Sequence, residues 1–81
     1  MGEGADKELD RLRWHCRRGL LELDYIFEDY LDQRYAAAPE AERAQFRALL
    51  DNQDPDLQAW ILHGATPPQP LAAIVTLLRG D

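Results

Sequence analysis

Cysteine is almost missing from this chain: Cys16 stands alone. One thiol excludes an intramolecular disulfide and cannot make a zinc site by itself, so stability has to come from packing. Histidine is nearly as scarce. His15 and His63 are the two present, and neither is followed at helical spacing by the carboxylate and second histidine of a metallopeptidase. A nucleophile elbow and a phosphate-cradling glycine loop are absent as well. These absences argue against an enzyme, a bound cofactor or a metal centre. No run approaches the ~20 consecutive apolar residues that a membrane helix needs. The opening Met1-Gly2-Glu3-Gly4-Ala5-Asp6 lacks the basic-then-apolar order of a signal peptide. A soluble, cytoplasmic protein with a reduced thiol is expected. Positive charge is also in short supply, with 9 Lys and Arg against 15 Asp and Glu and a formal net charge of -6. The chain as a whole should repel nucleic-acid phosphates and anionic lipid, so neither a nucleic-acid partner nor direct membrane insertion is expected.

What is present suits one small all-α domain. Its 81 residues are 46% hydrophobic, enough for one core rather than two. We expect an acidic leader over residues 1–8, partly disordered, and a five-helix bundle over residues 9–81. Leu9, Leu12 and Cys16 recur at the spacing that lines one helix face, with Asp6 upstream as an N-cap. After an interruption at Gly19, a longer stripe runs through Leu20, Leu23, Phe27, Tyr30, Leu31 and Arg34, broadened by Ile26. Ala36-Ala37-Ala38-Pro39 ends that helix, and Pro39 suits the first turn of the next, whose buried side is Phe46, Leu49 and Leu50. Asp51-Asn52-Gln53 reads as a turn. Asp54-Pro55 pairs an N-cap acid with proline at the first helical position, and Leu57, Trp60 and Ile61 form a short apolar face ending at Gly64. The proline-rich Thr66 to Pro70 stretch is too poor in amide donors for a helix. Leu71, Ile74, Val75 and Leu78 then mark a last helix that ends at Gly80.

Cys16 falls in line with Leu9 and Leu12, which makes it a core residue rather than a nucleophile beside His15. His63 sits where a protonated imidazole would favour the negative end of a helix. Asp24, Glu28 and Asp32 follow one another at i, i+4 steps, where like charges cost about 0.2–0.5 kcal/mol per pair in isolated helices. Such a stripe, spread along one edge, does not converge on a cation. Trp14 leaves its helix's apolar stripe, so it is either a second core contact or an exposed aromatic of the kind enriched in binding hot spots.

Between the basic run of Arg11, Arg13, His15, Arg17 and Arg18 and the acidic, leucine-rich stretch after it lies Arg18-Gly19-Leu20-Leu21-Glu22. A glycine flanked by opposite charges lets a partner's backbone come close. The plainer alternative is a helix-turn-helix connection in which Arg18 and Glu22 pair locally, worth little at a surface.

The run from Leu12 to Asp24 with its Arg-Gly-x-x-Glu block resembles the SdhE (YgfY) family of small bacterial flavin assembly factors. Tyr35, Phe46, Leu49-Leu50, the Asp54-Pro55-Asp56-Leu57 turn, Trp60 and the closing Pro70-Leu71 to Ile74-Val75 segment continue the likeness. It extends from about Leu9 to Arg79 and reaches the mitochondrial succinate dehydrogenase assembly factor; the acidic leader lies outside it. The resemblance implies a compact five-helix domain that binds the flavoprotein subunit of succinate dehydrogenase, or of fumarate reductase, and promotes covalent attachment of FAD to a histidine of that subunit. It makes Arg18, Gly19 and Glu22 the contact surface, to which we add Trp14, Arg17 and Asp24 as neighbours. Another reading is an antitoxin-like or regulatory helical module with a different partner.

Overall fold

The computed structural model describes the backbone of residues 3–80 and the side chains of residues 7–80. The described residues form five helices: α1 (Glu3–Cys16), α2 (Leu21–Gln33), α3 (Glu40–Leu50), α4 (Asp54–Leu57, continued by a π-helical turn Gln58–Leu62) and α5 (Ala72–Arg79). Short 3₁₀ turns at Tyr35–Ala37 and Gln69–Leu71 link α2 to α3 and lead into α5. No strand occurs among the described residues.

The helical stripes meet in one core. Leu12 and Cys16 of α1, Leu23, Phe27, Tyr30 and Leu31 of α2, Phe46, Leu49 and Leu50 of α3, Leu57 and Ile61, and Ile74 and Val75 of α5 are all buried. Phe46 is its hub. Its ring stands 4.4 Å from Tyr30, 5.9 Å from Tyr35 and 6.1 Å edge-on from Phe27, separations at which aromatic quadrupoles attract. The two tyrosines keep their hydroxyls satisfied at the edge of this cluster: Tyr30 donates to Glu42 at 2.7 Å, while Tyr35 donates to Glu8 and accepts from Arg47. Core aromatics thus end in an ion-paired rim, as buried polar groups require.

Several local expectations need correcting. Helix α1 is already helical at Glu3, so the Asp6 backbone lies inside it rather than at an N-cap. The Asp6 side chain, like residues 1 and 2 of the leader, falls outside the described residues. Helix α2 stops at Gln33, before the alanine run, because Arg34 leaves helical geometry and Tyr35 turns inward over Phe46. Arg34 is exposed, not part of the buried stripe, and pairs with Glu42 at 2.9 Å. Helix α4 begins at Asp54, with Gln53 at the N-cap, so Asp54 is not the capping residue. Pro70 is in a 3₁₀ turn, where its missing amide costs nothing. The π-helical turn had no sequence signal. It closes with the His63 amide on the Gln58 carbonyl and the Ala65 amide on the Ala59 carbonyl, around Gly64 at φ +76°. The bond from Ala65 reaches back six residues over the left-handed glycine, one more than in the common glycine-ended helix, because the turn it closes is π-helical.

Candidate partner-docking surface

Helices α1 and α2 run antiparallel, and their charges interlock. Arg13 Nη1 lies 2.8 Å from Asp32 Oδ1, and Arg17 Nε 3.5 Å from Glu28 Oε2. Each pairing climbs four residues on one helix as it descends four on the other. Asp24, one further step along, lies beyond the end of α1. Its carboxylate accepts the main-chain amides of Arg18 (Oδ1, 2.9 Å) and Gly19 (Oδ2, 3.1 Å). The acidic stripe that is unfavourable within α2 alone is therefore the complement of α1. Exposed pairs of this kind are worth at most about 1 kcal/mol each.

The Asp24 clamp fixes the corner between the helices. Gly19 takes φ +75°, a left-handed conformation that costs side-chain-bearing residues roughly 1–2 kcal/mol. A Cβ placed there would meet nothing within 4 Å, so the backbone faces open space. Leu20 occupies the N-cap of α2 without a side-chain capping bond, and Asp24 reaches back from the first turn past it to the two amides that precede the helix.

Arg18 points the other way. Its side chain is only 12% exposed. The guanidinium donates to the carbonyls of Leu50 and Asn52 and to the Asp54 carboxylate, the last two at 3.0 and 3.2 Å. A cation so placed meets the negative end of α3 and ties it to the start of α4. Arg18 pairs with Asp54 rather than Glu22.

Glu22 is exposed, and no ion pair takes it up among the described residues. Gly19, Leu20, Leu21 and Glu22 line a shallow groove with Gln58 and Leu62 from the π-helical turn. Leu21, Glu22, Tyr25 and Ile26 continue it, and Tyr25 and Ile26 meet Leu77 and Leu78 of α5. Trp14 is 73% exposed, so it makes no second core contact. The Arg17 guanidinium lies 5.6 Å from its ring centre, a cation–π stack that shares a separate hollow with Asp10 and Arg13.

Sequence reasoning missed two members of this surface: Leu21 and Tyr25 are 87% and 71% exposed. The signal was present, since α2 carries more apolar residues than one face can bury and these two stand an i, i+4 step apart, off the Leu23–Phe27 stripe. No thiol, imidazole or serine lines the groove. Cys16 is fully buried, and burial pushes its thiol up to about 12, far from the reactive thiolate. No cluster able to hold a metal occurs among the described residues, and no described helix is long and apolar enough to cross a membrane. What the surface offers a partner is main chain at Gly19, one carboxylate and two bare apolar side chains.

Known proteins resemble this chain over most of its length. The family described as "Flavinator of succinate dehydrogenase" matches residues 10–81. The FAD assembly factor SdhE of Idiomarina loihiensis is 44% identical over 77 residues, covering 94% of this chain and 86% of the relative. That of Shewanella oneidensis is 41% identical over 71 residues, with 86% and 87% covered. The Vibrio cholerae protein of the same name is 42% identical over 66 residues, with 80% and 77% covered. No solved structure matches the chain. This chain belongs to the family of succinate dehydrogenase flavinators.

Proposed function

We propose that this member of the flavinator family is a cytoplasmic FAD assembly factor. It docks on the flavoprotein subunit of succinate dehydrogenase, or of the related fumarate reductase, and promotes that subunit's covalent attachment of FAD. The chemistry belongs to the partner. The one thiol of this chain is buried, and its relatives are named as assembly factors.

The observation that carries the reading is the Gly19 corner. A glycine in a left-handed turn, open to solvent and pinned from both sides, presents main chain that a partner can approach as closely as van der Waals contact allows. Glu22 beside it supplies an exposed carboxylate, Leu21 and Tyr25 supply apolar anchors, and the Trp14–Arg17 stack offers a second, separate patch on α1. Binding acts by population shift: the factor favours the one conformation of the flavoprotein in which the accepting histidine and the flavin are held together. Such help needs no catalytic group, only a difference in affinity between the two conformations.

The test is co-expression of the flavoprotein subunit with this chain, reading covalent flavin by in-gel fluorescence. Gly19→Arg and Glu22→Ala should each reduce flavinylation and co-purification while the factor stays folded. Full flavinylation with normal binding in both variants would remove this surface from the account.

A further inference from the structure

Asp24 is not itself an obvious contact. It is partly buried, and both of its oxygens are spent on amides of its own chain. Those amides belong to the two residues at the head of the Arg-Gly-x-x-Glu block. Without the carboxylate they would turn to water, and the Arg18–Gly19 segment would gain freedom that docking must then remove. On the other side, the Arg18 guanidinium is anchored on the α3–α4 corner, so the segment is gripped by its side chain from below and by its amides from above. We infer that Asp24 is a positioning residue for docking: by accepting the Arg18 and Gly19 amides it holds the Gly19 corner in its bound-like shape before the flavoprotein arrives. This rests on the docking reading above and adds to it, since the residue acts through Gly19. Preorganisation of this kind raises affinity by lowering the ordering cost of binding rather than by adding a contact.

Amide exchange in the free, full-length protein reads the clamp directly. The Arg18 and Gly19 amides should be protected in the native chain and exchange at least about tenfold faster in Asp24→Ala, as loss of a charge-assisted hydrogen bond predicts. Binding to purified flavoprotein subunit should weaken about tenfold in Asp24→Ala, the scale of one lost preorganised turn. Asp24→Asn keeps one acceptor oxygen and turns a donor NH2 toward the other amide, so it should recover protection at one of the two amides and part of the affinity. In combination with Gly19→Ala, the loss from Asp24→Ala should be strongly non-additive, because both act on the same corner. Three results would overturn the positioning role: unchanged protection in Asp24→Ala; lost protection with native affinity while Glu22→Ala still weakens binding; or an Asp24→Asn variant as defective as Asp24→Ala with additive losses, which would mark a direct charge contact. Native binding by Gly19→Arg and Glu22→Ala as well would instead bring down the docking surface, and the positioning role with it.

Discussion

Arg18 Nη1 donates to Asp54 Oδ1 at 3.2 Å, joining the α1–α2 corner to the first residue of α4 across 36 positions of sequence. The same guanidinium caps the end of α3 through the Leu50 and Asn52 carbonyls. The arginine of the sequence block is thus a strut. Arg18→Ala should lower stability by about 1–3 kcal/mol, because part-buried carbonyls and a partly exposed carboxylate lose a charged donor. Arg18→Lys should restore only part of it, since an ammonium lacks the planar fork that reaches several acceptors. Urea unfolding of the three proteins measures this. An Arg18→Ala variant as stable as the native chain would show the strut to be idle.

Gly19 separates backbone strain from steric exclusion. Because an added Cβ meets no atom, the cost of replacement is conformational alone: Gly19→Asn should lose less than about 1 kcal/mol and Gly19→Val more, up to about 2 kcal/mol. Thermal denaturation of the pair decides it. Equal losses would mean that the corner relaxes out of its left-handed turn.

Leu21 and Tyr25 should matter for binding and hardly for folding. Leu21→Ser and Tyr25→Ser each remove an exposed side chain and should stay within about 0.5 kcal/mol of native stability. Affinity for the flavoprotein should fall, most for Tyr25, since aromatic anchors dominate interfaces. Calorimetric titration beside a denaturation curve checks both halves; native affinity in the double variant would place docking elsewhere.

Acid should loosen the rim of the core. Bonds from Arg34 and then Tyr30 to the charged form hold the Glu42 carboxyl below the usual carboxylate range. A folded value below the unfolded one near ~4.3 gives stability that is fully present above that pH and lost as pH falls through the folded value. Unfolding midpoints should therefore drop on going from about pH 5 to about pH 3, and Glu42→Gln should flatten the drop. Some slope should remain, because the hydrogen bond from Arg47 lowers Glu40 in the same way. An unaltered acid slope in Glu42→Gln would refute the assignment.

Cys16 should resist labelling. With its thiol fully buried and pushed up to about 12, maleimide modification at neutral pH should proceed only as fast as the chain opens. Rapid stoichiometric labelling of native protein, against a urea-unfolded control, would contradict this packing.

The helices were legible because burial is written as a period. Leu23, Phe27, Tyr30 and Leu31 recur as a helix face must, and the structure buries all four. The breaks at Gly19, Gly64 and Gly80 were legible for a local reason too, since all three residues take positive φ. Boundaries set by distant contacts were not. Helix α2 ends early because Tyr35 packs on Phe46, and Asp54 leaves its expected cap for Arg18. Trp14 was ambiguous in one dimension, as a single off-stripe aromatic fits a second neighbour or open water equally well.

Periodicity alone determined an all-α chain, composition limited it to a single thiol, and the charge pattern marked the Arg-Gly-x-x-Glu corner as the place to look. Only the tertiary structure decided what each residue there does. Arg18 turns inward to the end of α3, Asp24 clamps the main chain, and Gly19, Leu21, Glu22 and Tyr25 are left facing outward. The reason is that helix formation depends on residues three and four apart, whereas the partner of a charge or an amide depends on which helix end folds against it.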